Sequence, residues 1–370
     1  MKNLFKMAVM AAAVYAGAVY NTLGADFTTL LNNGTAKEVT DEKTNVEMYS
    51  VFVSGTDIYA GGYVTNASGK EVATIWKNGT TQELSDGTTD AVIFSVSVSG
   101  TDVYAGGYVY NASGKAIATL WKNGTAQELS DGTTDAGIWS IFVSGTDVYA
   151  GGYVKNDSGK AVATIWKNGT AQSLSDGTTV ANVNSVFVSG KYVYAGGYVY
   201  NDSGIRVATI WKNGTAQELS DGTTDAIVNS ISVSGKDIYA GGFVQNASGK
   251  WVATIWKNGT PQALTDGTQY AYVYSVFVSG TDVYAGGYVQ NASDYRVATV
   301  WKNGTAQSLS GATTYATVWA VFVSGKDVYA VGYVTNASEK DVATLWKNGT
   351  AQALSDGTTD VYALSVFVAK

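Results

Sequence analysis

The chain is 370 residues long and carries 23 Lys plus Arg against 30 Asp plus Glu, a formal charge of −7. That balance argues against nucleic acid or an anionic membrane as a partner, since both are met by cationic surfaces. Cysteine and histidine are absent, which removes disulfides, thiol chemistry and the commonest general base near neutral pH.

With 43 Gly, 25 Tyr, 10 Trp and one Pro, the composition points to strands joined by tight turns. No apolar run reaches the roughly 20 residues that a membrane-spanning helix needs. The first stretch, "MKNLFKMAVMAAAVYAGAVYNTLGAD", reads in two ways. Lys2 and Lys6 ahead of an apolar run from Met7 to Val19 suggest an export signal cut after Ala25. The same stretch aligns with a later segment without a gap: Gly107 falls on Gly17, Val109 on Val19, Asn111 on Asn21 and Gly114 on Gly24. The strand reading is preferred, with residues 1–10 as a leader or disordered N-terminus and 11–370 as one domain. Export to the medium or the cell surface is expected, and a cytoplasmic location if the N-terminus is wholly a strand.

Next come "TTLLNNGTAKEVT" (Thr28 to Thr40) and then a strict repeat. "WKNGT" begins at Trp76, Trp121, Trp166, Trp211, Trp256, Trp301 and Trp346, in steps of 45 residues, and "VSG" keeps the same step from Val53 to Val323. A period of this length means stacked supersecondary units. Each unit divides into four predicted strands, written a to d: "SVFVS" (Ser50 to Ser54), "DIYAGGYV" (Asp57 to Val64), "VATIW" (Val72 to Trp76) and "TQELS" (Thr81 to Ser85). Asn78-Gly79 between c and d is a strong type I′ hairpin signal, and "SGTD" between a and b is a second tight turn. Four antiparallel strands in 45 residues make a β-propeller blade. A helical solenoid lacks its 3.6-residue period here, and a β-helix would have shorter coils without Asn-Gly hairpins. Pro261 opens a d strand, which places d at the blade's outer edge and the apolar a strand innermost.

The "VYAGGY" segment (Val103 to Tyr108) resembles the b strand of kelch-type propellers, although the usual kelch spacing of Tyr and Trp is missing. More closely, the unit is similar to the 45-residue "YAGGY…ATxWKNG" repeats of bacterial propeller proteins of unassigned function. That resemblance implies a propeller, and often export, and brings no catalytic residues. The strand count gives an all-β propeller of eight four-stranded blades, the last one joining the C-terminal strand a to b, c and d from the N-terminus.

The paired aspartates of "SDGTTD" (Ser85 to Asp90) read as turn chemistry rather than a calcium loop. The formal glycosylation sequons read as turns too, and the Trp of "WKNG" as packing between blades, with Gly61-Gly62 clearing space for a neighbouring ring. Variation concentrates on one face, that of the b–c and d–a loops. Just before strand a stand Tyr49, Phe94, Trp139, Asn184, Asn229, Tyr274, Trp319 and Leu364. Asp90 is matched by Val180, Tyr270 and Tyr315, and the b–c loops carry Tyr110, Lys155, Tyr200, Gln245 and Gln290 at one position, with Arg206, Trp251, Tyr295 and Arg296 nearby. Aromatic residues and Arg anchor interfaces. The expectation is therefore a monomeric, non-catalytic binding module, without cofactor, metal or nucleic acid, that recognises a glycan (as a lectin would) or a protein through this face. The alternative is a structural or surface-coat repeat protein with no discrete ligand. In the binding reading, the ring from Tyr49 to Trp319 lines the channel mouth, so Trp139→Ala and Trp319→Ala weaken binding and spare stability, whereas Trp166→Ala does the reverse.

Overall fold

The blade built from residues 136–173 shows how the repeat sequence becomes structure. Its inner strand β12 (Ala136–Ser144) turns through Gly145-Thr146 into β13 (Asp147–Lys155). β14 (Ala161–Lys167) follows, and Asn168-Gly169 (φ 49° and 84°) makes the expected hairpin to β15 (Thr170–Ser173). The order β12-β13-β14-β15 is antiparallel throughout, and burial falls from the apolar β12 to a fully exposed β15. Pro261 lies in such an outer strand, opposite Trp256. The computed structural model describes residues 18–22, 29–32, 35–38, 46–358 and 360–366, with side chains from residue 46 onward. Among them no helix is long and apolar enough to cross a membrane.

Seven regular blades repeat this plan. Their inner strands are β4 (Val46–Ser54), β8 (Ala91–Ser99), β12, β16 (Ala181–Ser189), β20 (Ala226–Ser234), β24 (Ala271–Ser279) and β28 (Ala316–Ser324), and each packs on the next.

Three devices join neighbours. The "WKNG" tryptophans are buried between blades, as expected, and Trp166 Nε1 donates to the Leu129 carbonyl of the preceding blade at 3.0 Å. Next, an inner-strand serine accepts a hydrogen bond from the backbone of the following blade. Val186 N–H reaches Ser140 Oγ at 2.9 Å, and the same bond recurs at Ser50, Ser95, Ser185, Ser230 and Ser275.

The third device is the Gly-Gly pair. A Cβ on Gly151 would stand 2.3 Å from Val186 Cγ2 and 2.7 Å from Val183 Cγ1, both on β16. The space is therefore cleared for β-branched side chains of the next inner strand, not for an aromatic ring. A Cβ on Gly152 would stand 1.9 Å from the Gly137 carbonyl oxygen of its own blade. That carbonyl is close because β12 bulges, its pairing with β13 slipping between Ile138 and Ser140.

The expectation of eight four-stranded blades is corrected to seven. The remaining strands form a sheet of order β3-β2-β1-β32, from β1 (Ala18–Thr22), β2 (Thr29–Asn32), β3 (Thr35–Glu38) and β32 (Val361–Ser365). It packs between the seventh blade and the first, but it is not a further copy. The alignment of Val109 with Val19 requires Val19 to face residue 27, as Val109 faces Ile117. Instead Val19 faces Leu30, a slide of three residues. The slide puts Val19 and Tyr20 at the bulge where regular blades carry Gly-Gly. Residues 1–17 and 23–28 are outside the described residues, so the leader at 1–10 and the cleavage after Ala25 are not addressed.

Candidate functional site

The varied face is built on the bulges. Trp139 is the residue skipped when β12 slips past β13, and Tyr49, Phe94, Asn184, Asn229, Tyr274 and Trp319 are skipped in the same way. A bulge re-aims its side chain. Here it brings successive blades into contact: ring centroids lie 5.1 Å apart for Tyr49–Phe94, 4.9 Å for Phe94–Trp139 and 4.3 Å for Tyr274–Trp319. Where the arc of rings breaks, amides continue it. Asn184 Nδ2 donates to the Val228 carbonyl and Asn229 Nδ2 to that of Val273, each at 2.8 Å.

The arc foreseen in the sequence therefore exists, but it is packed inward. Trp139 is 5 % exposed, Tyr274 2 % and Trp319 8 %, and Phe94, Asn184, Asn229 and Leu364 are buried as well; only Tyr49 is half-buried. A second layer, Tyr63, Tyr108 and Tyr153 from the b strands, packs behind Tyr49, Phe94 and Trp139. The expected mouth of exposed anchors is instead a plug, and Trp139 even bonds its Nε1 to Asn182 Oδ1 at 3.0 Å. Sequence reasoning missed Asn182 and the buried Glu47, which accepts a hydrogen bond from the Tyr49 hydroxyl. The signal was present: the second residue of strand a runs Glu47, Val92, Gly137, Asn182, Ile227, Tyr272, Thr317, which is as varied as the ring itself. Burial first, and then the Glu47 carboxylate, holds the Tyr49 phenol well above the ordinary tyrosine range. Burial likewise raises Tyr274.

The loops outside the plug carry the charge. Lys155 pairs with Asp135 at 2.8 Å, Arg206 with Asp225 at 2.7 Å, and Lys70 and Lys340 pair with Asp90 and Asp360 at 3.5 and 3.4 Å. Tyr110 and Tyr200 are half-buried against Tyr108 and Tyr198. Trp251 packs on Phe243 and Tyr270, and Tyr295 on Tyr315, at 43 % the most exposed large hydrophobic side chain among the described residues. The "SDGTTD" aspartates act in the turns, as expected: Asp86 Oδ1 accepts both the N–H and the hydroxyl of Thr88, at 2.9 and 2.7 Å. Asn66 does the same for the sequon loops, accepting from Ser68 and Lys70 and donating to Gly87.

No family model matches this sequence, and no curated protein matches it. Solved structures do. A puromycin-hydrolyzing peptidase of Mycobacterium tuberculosis superposes with a TM-score of 0.55 at 10 % identity, over 84 % of this chain and 52 % of its own. The acylaminoacyl peptidase of Pyrococcus horikoshii gives 0.52 at 13 % identity, over 84 % and 53 %. A puromycin hydrolase complexed with PGG gives 0.53 at 10 % identity, over 85 % and 54 %.

At such identities the likeness shows the fold, a β-propeller of about 45-residue blades. The chain spans about half the length of these proteins. The expectation of a purely non-catalytic glycan or protein binder is corrected: the similar solved structures named above are peptidases, and of the residues assigned to recognition Phe94, Trp139, Asn184, Asn229, Tyr274 and Trp319 are buried.

Proposed function

We propose that this chain is the propeller part of a peptidase system, a platform that receives peptide for a catalytic centre supplied by another domain or chain. The single observation that carries the reading is the pattern of coverage: the likeness takes in 84 % of this chain but only 52 % of the mycobacterial peptidase. Chemistry supports placing catalysis elsewhere, because 370 residues without a histidine cannot assemble a Ser-His-Asp triad by themselves. The burial of the ring supports it too: Phe94, Trp139, Tyr274 and Trp319 are packed against neighbouring blades, which leaves the outer loops as the surface that would receive peptide.

Two assays on the purified chain test this. Aminoacyl and acylaminoacyl p-nitroanilides should not be hydrolysed by the chain alone, and a mixed tripeptide pool should give saturable binding by NMR saturation transfer. Hydrolysis that co-purifies with the chain, or a tripeptide pool that never saturates at millimolar concentration, overturns the reading.

A further inference from the structure

Because the blades are near copies, one blade shows what a loop does when its neighbour has changed a single residue. In four blades the aspartate of the d–a loop accepts a hydrogen bond from the first backbone N–H of strand c: Asp90 from Glu71, Asp135 from Ala116, Asp225 from Arg206 and Asp360 from Asp341, at 2.9–3.2 Å. At Arg206 the carboxylate is held twice, Oδ1 by that N–H at 2.9 Å and Oδ2 by the guanidinium Nη2 at 2.7 Å. An Arg with an adjacent backbone N–H is thus, in this fold, a working carboxylate cradle.

Two blades further along the chain the arginine recurs as Arg296, at the first position of a strand c spanning Arg296–Lys302, but the aspartate is replaced by Tyr315. In the other two blades that lack the aspartate, at Val180 and Tyr270, no arginine stands opposite; the strands begin with Ala161 and Trp251. Among the described residues Arg206 is ion-paired and Arg296 is not. The half-buried Arg296 guanidinium sits 4.9 Å over the Tyr288 ring. Asp294, on the same loop, is engaged by the Gln290 amide at 3.2 Å. Tyr315 leans on Tyr295, with centroids 5.1 Å apart, and leaves an exposed aromatic wall beside the cradle.

We propose that Arg296, its backbone N–H, and the Tyr295–Tyr315 pair form a binding site for a carboxylate ligand with an aromatic or apolar body. The ligand carboxylate takes the place that Asp225 fills at Arg206, with two oxygens on two donors, and its body covers Tyr315. This site stands on the comparison between blades, independently of any role in a peptidase system.

Titration of the full chain with N-acetyl-L-phenylalanine, followed by isothermal calorimetry, should show one site of roughly millimolar affinity, and the corresponding amide should bind at least about tenfold more weakly. Arg296→Gln should weaken the carboxylate by a similar factor. Tyr315→Asp restores an internal carboxylate on an exposed loop and should abolish binding while raising the melting temperature. Asp225→Tyr should open the sister cradle and raise the stoichiometry from one to two. Unchanged binding in Tyr315→Asp, or equal affinity for acid and amide, overturns the proposal. Inorganic phosphate is the third probe; if it binds as well as the acid and is lost with Arg296→Gln, the carboxylate assignment fails. A tripeptide pool that fails to bind leaves this result untouched, so the two readings are separable.

Discussion

Trp139 and Trp166 are both large, buried and hydrogen-bonded through Nε1, one to Asn182 and the other to the Leu129 carbonyl. In the sequence they look opposite. Trp166 recurs in all seven complete units, which reads as packing; Trp139 is replaced by Tyr, Phe, Asn or Leu, which reads as a face shaped for a ligand. The structure removes the contrast, because residues around a ring axis touch their neighbours rather than copies of themselves. A Trp beside a Phe and an Asn fills an irregular plug that seven identical rings could not fill. Trp139→Ala should therefore destabilise the protein by about 3–5 kcal/mol, the usual range for emptying a buried aromatic site and comparable to Trp166→Ala. Urea unfolding of the two variants checks this. A Trp139→Ala variant that unfolds like the wild-type protein would return that residue to the surface.

At the scale of the element, the joint between the seventh blade and the terminal sheet differs from the other joints in a concerted way. Regular joints set a Gly against Ile or Val of the next inner strand, as Gly106 lies against Ile138 and Ile141. Here Val331 replaces that Gly, and Ala363 stands where Ile138 stands; both are fully buried in one cluster with Val361 and Val366. Bulk has moved from one strand to the other. The latch serine is also exchanged, for Ala320. Such a swapped pair makes β32 fit this joint, whereas at a regular joint its Ala363 would face a Gly and leave a void, and a regular Ile-bearing strand would collide with Val331 here; this matters when near-identical blades offer several places to dock. Val331→Gly and Ala363→Val should each cost about 1–3 kcal/mol. The double variant should recover more than about 0.5 kcal/mol relative to the sum of the two. A double-mutant cycle by chemical denaturation measures that coupling, and strict additivity would show that the exchange is incidental.

Over the whole molecule, the charge pattern sets the pH range of stability. Burial alone would raise the Asp225 carboxyl, but the Arg206 guanidinium and backbone N–H outweigh it and leave the group below the ordinary aspartate range. The turn aspartates, Asp86 and its counterparts, are lowered by the threonine N–H and hydroxyl. A carboxyl depressed in the folded state stabilises it above the unfolded value of about 4, and that contribution disappears as pH falls through the folded value. At the alkaline end burial pushes Tyr198 and Tyr288 up to about 12. A phenol raised in the folded state contributes below its unfolded value of about 10 and stops contributing as pH rises through 10 to 12. With no histidine to titrate between them, melting temperature should be flat from about pH 5 to 9 and fall on both sides. A step near pH 6.5 would contradict this account.

Local physics made much of the propeller readable without coordinates. Asn168-Gly169 must turn as it does because both residues tolerate positive φ, the 45-residue step dictates one blade per unit, and Pro261 belongs on an edge. The tryptophans and the turn aspartates were legible for the same reason: in most units they meet the same partners. Tertiary structure decided what depends on partners far along the chain. It set the register of β1 against β2, three residues away from the repeat, where only the fit to both neighbouring strands can choose. The bulge turned a ring of varied residues inward, and the bulge is visible only when two strands are paired. It also distinguished Arg206 from Arg296, alike in their own strands, because the carboxylate that differs lies 19 residues away in the loop that leads to the next blade.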